Sequence, residues 1–291
     1  MEAIRTEALS KYYGKARGIT DVSLTVEQGG FYGFIGPNGA GKSTTIRLLL
    51  GLISATGGRA EVLGMDISRE RTRILEKTGY LPSEAAFYGG MRVRDIIALS
   101  ARLRKKDCAA EARRLCEKLE LDDSRRVEEL SLGNRKKVGI VCAMQHRPEL
   151  YILDEPTSGL DPLMQQEFYA LLRERNAEGA TVFLSSHVLS EVARWCTHAA
   201  VIRDGRLLAA DSVESLGHTG VKRVALRGAA ELPELAGVRD TREENGTLTF
   251  LYGGKPAELL TALAALAPED VTISDPDLEE VFMHYYAKGD A

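Results

Sequence analysis

Nowhere does the chain carry the roughly 18 consecutive apolar residues that a membrane-spanning helix needs. The closest run, Leu259 to Ala267, is short and rich in alanine, so any membrane association is expected to come through a partner. The N-terminus, Met1-Glu2-Ala3-Ile4-Arg5-Thr6, sets no basic segment before an apolar one, and no secretory signal is expected. Cysteine is scarce. Cys108, Cys116, Cys142 and Cys196 form no C-x-x-C pair and have no His at zinc-ligand spacing, which points to reduced, buried or half-buried thiols of a cytoplasmic protein. A basic excess is also missing: the formal net charge is −4, so no positive field advertises a nucleic-acid partner. There is no internal repeat and no low-complexity segment. What remains is ordinary globular material, 291 residues with 44% hydrophobic and 27% charged, enough for one large domain or a large one and a small one.

Periodicity supplies the outline. Val22, Leu24 and Val26 alternate with polar residues as in a half-buried strand, and Gly29-Gly30 then turns the chain. Phe31 to Ile35 is a short apolar strand, and Thr45 to Leu50 reads as a helix stopped by Gly51. From about residue 83 to 145 apolar residues recur at helical spacing among many charges, predicting a helical insert. Leu150 to Leu153 and Thr181 to Leu184 read as buried strands flanking a helix from Leu163 to Arg175. Asp204-Gly205 sits between two short apolar runs as in a hairpin. The pattern lapses at Gly217 to Gly220, where a domain boundary is expected. Beyond it come strands at Val224–Leu226, Thr247–Leu251 and Val271–Ile273, with helices at Ala257–Leu266 and Leu278–Tyr286, a small α+β domain.

Between the strand Phe31–Ile35 and its helix lies Gly36-Pro37-Asn38-Gly39-Ala40-Gly41-Lys42-Ser43-Thr44, which fits the phosphate-binding loop G-x-x-x-x-G-K-[ST] in full. Its glycines allow positive φ and bring backbone N–H groups to phosphate oxygens. The helix that follows aims its positive end at the same anion. Lys42 can reach the terminal phosphates, and the Ser43 hydroxyl suits Mg²⁺. A GTPase would add an Asn-Lys-x-Asp segment, which is absent; Asn134-Arg135-Lys136-Lys137 lacks the acid.

Leu150 to Leu153 delivers Asp154-Glu155 at a strand end. Asp154 is placed to hold a Mg²⁺ shell, and Glu155 to act as general base on an attacking water. His187, after Ser185-Ser186, is a candidate sensor of the γ-phosphate, although a His at a strand end, taken alone, is more often structural. His146, His198, His218 and His284 have no comparable context and are read as surface or packing residues.

Together these segments resemble the ATP-binding cassette family over roughly Ile4 to Ala210. The segment Leu130-Ser131-Leu132-Gly133-Asn134-Arg135-Lys136-Lys137-Val138 is similar to the family signature. The resemblance implies a phosphate-loop α/β core with an antiparallel β subdomain and the helical insert, residues 1–216, ahead of an accessory α+β domain, residues 221–291. It implies ATP and Mg²⁺ as cofactors and a head-to-tail dimer, as homodimer or with a second cassette subunit. In such a dimer Ser131 and Gly133 cap the nucleotide of the opposite subunit. Tyr13, with Tyr12 as its rival, resembles the adenine-stacking aromatic, and Asp161 in Ser158-Gly159-Leu160-Asp161 resembles the key residue of the loop between subunits. Asp161-Pro162 also fits a plain helix start.

Two segments depart from the family pattern. Leu132 and Asn134 stand where a glycine and often a glutamine are usual. Ser83, beside Glu84, stands where a glutamine commonly touches Mg²⁺ or its water and senses the membrane partner; the Ser83 hydroxyl reaches the metal shell only through a water. The tail Asp275-Pro276-Asp277-Leu278-Glu279-Glu280-Val281-Phe282 is similar to the ending of bacterial drug, lipid or polysaccharide exporters, and is equally an ordinary amphipathic helix. The implied function is an ATPase that energises export through a separate polytopic permease, held at the cytoplasmic face of the membrane. The alternative is a cassette ATPase switch acting on a regulatory, DNA or ribosomal partner.

Overall fold

A twelve-residue strand, β1 (Glu2–Tyr13), opens the chain, although no period-two pattern marks it in the sequence. The reason is Ala8: its φ of +47° makes a bulge, the register against the strand Gly57–Val62 shifts between Glu7 and Ser10, and the buried positions step from Thr6 to Leu9. The strand expected across Val22 to Val26 is two strands, β2 (Ala16–Val22) and β3 (Thr25–Glu27), both paired with β1. At the break side chains take over from the ladder. Thr6 Oγ1 accepts from the Leu24 N–H and donates to the Val22 carbonyl, and Ser23 Oγ accepts from the Ala8 N–H.

The computed structural model describes residues 1–217, 220–228 and 235–276 and divides into two units, Met1–Asp211 and Ser212–Ala291. In the first unit β3 is followed by β4 (Phe31–Ile35), α1 (Lys42–Leu49), β5 (Gly57–Val62), β6 (Met65–Asp66), α2 (Arg71–Lys77) and β7 (Thr78–Leu81). The insert holds α3 (Val93–Leu103), α4 (Ala109–Lys118) and α5 (Leu132–Met144). The chain then returns through β8 (Leu150–Asp154), α6 (Pro162–Ala177), β9 (Thr181–Ser186), α7 (Leu189–Trp195), β10 (His198–Arg203) and β11 (Arg206–Ser212).

Two sheets result. β2-β1-β5-β6, with β3 on β1, is antiparallel. The second has the order β11-β10-β4-β9-β8-β7, parallel from β10 to β7. In β4, β8 and β9 every residue is buried, which is why they read as apolar runs without alternation. Helix α1 packs on β8 and also on β2 and β5, so Ile46, Leu48 and Leu49 join Ile4, Leu9 and Val62 to Phe34, Ile152 and Phe183 in one core. Asp204 and Gly205, with φ of +49° and +70°, turn β10 into β11 as their order suggests. All four cysteines are free; Cys108 and Cys196 are buried, Cys116 and Cys142 half-buried.

The insert reaches this sheet through α5, which contacts β7, α3 and α4. Its buried positions include Lys136, Lys137, Val138, Gly139, Ile140 and Val141, so it has almost no solvent face. Gly139 permits the close approach, since a Cβ there would lie 2.7 Å from Leu81 Cδ1.

The second unit contains α8 (Val213–Gly217), β12 (Lys222–Arg227), β13 (Val238–Glu244), β14 (Thr247–Tyr252), α9 (Pro256–Leu266) and β15 (Asp270–Ser274). Its sheet order is β13-β14-β12-β15, antiparallel, with Val224, Leu226, Phe250, Tyr252, Leu259 and Leu263 as core. Strand β13 escapes sequence reading because Val-Arg-Asp-Thr-Arg-Glu-Glu carries one apolar residue; it is an exposed edge. His218, His284, the helix expected at Leu278–Tyr286 and the exporter-like tail from Asp277 onward lie outside the described residues.

His146, next to the end of α5, is a packing residue: it is buried, its Nε2 faces the Thr78 carbonyl at 3.4 Å, and its Nδ1 has no partner. Burial, helped by the charge of Arg104, pushes its pKa down to about 3. The unfolded chain therefore binds a proton near pH 6.5 that the folded chain refuses until about 3, so stability falls as pH drops below 6.5. Denaturant unfolding should show a loss of about 1 kcal/mol between about pH 7.5 and 5.5 that is absent in His146→Gln; equal pH dependence in the two proteins would refute this.

Candidate active site

Strands β4, β8 and β9 are neighbours and parallel, so their carboxyl ends deliver three segments to one edge of the sheet, where open α/β sheets bind ligands. After β4 comes the phosphate loop. Gly39 and Gly41 have φ of +81° and +108°, and a Cβ on Gly36 would fall 2.3 Å from the Ile202 carbonyl oxygen. Gly41 starts α1 without a side-chain cap, and the first-turn N–H groups of Lys42, Ser43 and Thr44 are left for an outside acceptor. Pro37, Asn38 and Gly39 are exposed, Ala40 is buried, and Ser43 and Thr44 are half-buried. Lys42 is 5% exposed and its Nζ donates to the carbonyls of Gly36 (2.6 Å) and Pro37 (3.2 Å).

After β8 comes Asp154-Glu155. Asp154 is buried, and Glu155 adopts a φ of +46°, an uncommon conformation for a residue with a side chain. Ser185 of β9 locks the pair, donating to Asp154 Oδ1 at 2.6 Å and accepting from the Glu155 N–H at 3.0 Å. Glu155 Oε1 then lies 3.5 Å from Lys42 Nζ and 3.3 Å from His187 Nδ1. The three candidate catalytic residues, from three loops, thus converge on one oxygen.

The Glu155 carbonyl is held as firmly. It accepts from the Ser158 N–H at 3.3 Å and from Lys136 Nζ at 2.9 Å. Lys136 also donates to the carbonyls of Ser83 (2.9 Å) and Pro82 (3.3 Å). Burial pushes its pKa down to about 8 against the opposing charges of Asp154, Glu155 and Glu84. Ser83 is half-buried and takes part through its main chain.

Tyr13 and Tyr12 are both partly exposed on β1. Tyr12 donates or accepts a hydrogen bond with Thr20 Oγ1 at 3.1 Å. The Tyr13 ring has Lys11 Nζ 5.3 Å from its centre. A Cβ on Gly18 would lie 3.0 Å from Tyr13 Cε2 and 3.2 Å from Thr44 Cγ2, so the Tyr13 ring edge borders the phosphate loop.

Ser131, Gly133 and Asp161 make no hydrogen bond or ion pair with Lys42, Glu155 or His187 among the described residues. Ser131 caps α5, accepting from the Asn134 N–H at 3.3 Å. Asp161 caps α6, accepting from the N–H groups of Leu163 and Met164, which is the helix-start role its Pro162 neighbour suggests. A Cβ on Gly133 would lie 2.6 Å from the Gly159 carbonyl oxygen, so the signature-like loop and the Ser158–Asp161 loop are in contact. Leu132 and Leu163 nearby in sequence are 63% and 72% exposed.

No group of three or more His, Cys, Asp or Glu side chains among the described residues could hold a metal alone. The Ser43 hydroxyl and the Asp154 carboxylate are hard oxygen donors of the kind that bind Mg²⁺ together with substrate phosphates, so the donor set fits that ion.

The phosphate loop, the paired acids and the converging His define a phosphate-loop ATPase. The ABC transporter family profile matches residues 19–158. The chain is 38% identical to the bacitracin transport ATP-binding protein BcrA of Bacillus licheniformis, over 70% of this chain and 68% of that protein. It is 31% identical to the daunorubicin resistance ATP-binding protein DrrA2 of Streptomyces coeruleorubidus, over 97% of this chain and 94% of that protein. Among solved structures, an ATP-binding subunit of an ABC transporter superposes with a TM-score of 0.69 at 30% identity, covering 74% of this chain and 91% of that one. The chain belongs to the ABC transporter ATP-binding family, binds ATP and is an ATPase.

Sequence reading passed over Ser185 and Lys136. Ser185 carries no signal beyond ending a buried strand. Lys136 does: Arg135-Lys136-Lys137 puts three cations near the start of a helix, where the dipole disfavours them. Ser185→Ala strands a buried Asp154 oxygen and the Glu155 N–H. It should lower unfolding free energy by about 1–3 kcal/mol, read from denaturant midpoints, and reduce ATP turnover; unchanged midpoints would show that the lock contributes nothing.

Proposed function

We propose that this chain hydrolyses ATP to energise export of a drug-like compound through a separate polytopic membrane permease. The observation that carries it is the meeting of Lys42 and His187 on one oxygen of Glu155. The transport class rests on the family and on the names of its relatives, concerned with bacitracin transport and daunorubicin resistance. No described helix is long and apolar enough to cross a membrane, which fits attachment to the cytoplasmic face of the membrane through the permease. Residues 1–216 form the ATPase domain in this reading, and residues 221–291 an accessory domain.

ATP lays its phosphates in the loop Gly36–Thr44, with Tyr13 against the adenine. Lys42 leaves Glu155 for the β and γ phosphates, which frees the carboxylate. Glu155 takes a proton from the attacking water while the oxygen bonds to the γ-phosphorus and the bond to the β-γ bridging oxygen breaks, giving ADP and phosphate. His187 touches the γ-phosphate and holds Glu155 in place. Ser43 and Asp154, with Ser83 acting through a water, would hold Mg²⁺, which when bound would neutralise phosphate charge.

The pocket is completed by a second copy or a second cassette subunit. Its Ser131, Gly133 and α5 N-terminus cover the γ-phosphate, and Asp161 lies in the loop between subunits. Exposed Leu132 and Leu163 beside these caps support an apolar contact of that kind. Two measurements test the proposal. Glu155→Gln should bind ATP, form a longer-lived dimer by size-exclusion chromatography and lose at least about a hundredfold in kcat; parental turnover would remove Glu155 as the base. Specific activity of the parent should fall on dilution, and turnover strictly first order in protein at high dilution would sink the shared pocket.

A further inference from the structure

Position 83 raises a question that the residues around it answer. A serine there cannot extend a side chain from its loop to the catalytic turn, yet the two segments are joined. The join is Lys136. Its Nζ spends its three donors on the carbonyls of Pro82, Ser83 and Glu155, at 3.3, 2.9 and 2.9 Å. The residue is 4% exposed, and those carbonyls belong to the loop leaving β7 and the turn leaving β8. Its own backbone sits in α5, one turn before Gly139, where the helix presses on Leu81 of β7. An ammonium with all three protons on carbonyls fixes the distances among helix, loop and turn at once, since leaving any of them unpaired in a buried place costs free energy.

We propose that Lys136 is a positioning residue that couples the helical insert and the Ser83 loop to the catalytic turn, holding the Glu155 main chain in the conformation that points its carboxylate at Lys42. The inference rests on Glu155 being the base. A displacement of α5 or of residues 82–83 moves Lys136, and through the Glu155 carbonyl it moves the one residue at the site whose φ is left-handed without glycine. Burial lowers the Lys136 pKa to about 8, and the carboxylates of Asp154, Glu155 and Glu84 oppose that shift in favour of the charged lysine. The Ser83 loop borders a cavity of about 510 Å³ lined also by Phe87, Leu132, Arg135 and Lys136.

The test is steady-state ATPase on the full chain, with nucleotide binding and thermal melting measured alongside. Lys136→Met should fold, keep KM for MgATP within about twofold and lose about ten- to a hundredfold in kcat. Lys136→Arg, which retains charge and donors, should recover part of that loss, and a merely packing role gives no such rescue. If Lys136→Met does not fold, Lys136→Gln replaces it with the same expected split. Parental kcat in a folded variant, or a rise in KM with kcat unchanged, overturns the inference; so does failure of both variants to fold, which would make Lys136 a structural residue. Glu155→Gln run in parallel separates the two readings. If it is inactive while Lys136→Met turns over normally, only the coupling role fails, whereas parental turnover in Glu155→Gln removes the base and the coupling with it.

Discussion

The site depends on one turn of backbone, the step from Asp154 to Glu155. A side-chain-bearing residue at φ +46° is uncommon enough that its surroundings must hold it there. Here they do so through both flanking peptide units: Ser185 takes the N–H, and Lys136 with the Ser158 N–H takes the carbonyl. With both backbone groups fixed, the carboxylate has few directions left. The one it takes brings Oε1 to Lys42 and His187.

That turn is rigid because of what lies behind it. β8 is buried on both faces between β7 and β9, so Asp154 leaves a strand with no freedom to twist or slide. Helix α1 is wedged between the two sheets of the first unit, which fixes the root of the phosphate loop relative to β8. The insert is attached differently. α5 lies against β7 at the sheet's outer strand, and Lys136 carries its position inward to β8. The geometry therefore joins a stiff nucleotide-facing edge to an element at the sheet margin.

What could be read from the sequence follows from this layout. The phosphate loop, Asp154-Glu155 and His187 were legible because each is a short polar segment ending an apolar run. β1 was not, because the Ala8 bulge breaks its alternation, and β13 was not, because an exposed edge strand buries nothing. Ser185 and Lys136 were hidden for another reason. Their value lies in main-chain carbonyls and N–H groups of distant segments, which no residue type announces. Asp161 was legible twice over, as a loop residue and as a helix cap, and the hydrogen bonds establish the cap.

The charge inventory ties these features to turnover. Two cations, Lys42 and Lys136, face two anions, Asp154 and Glu155, in a largely buried setting. The cations differ in what they can release. Lys136 is committed to carbonyls of its own chain on every donor, whereas Lys42 faces two carbonyls and one carboxylate, and in the proposed reaction it exchanges that carboxylate for phosphate. The carboxylate must meanwhile stay aimed without the ion pair that helped to aim it, and the backbone clamp of Ser185 and Lys136 is the part of the structure able to do so.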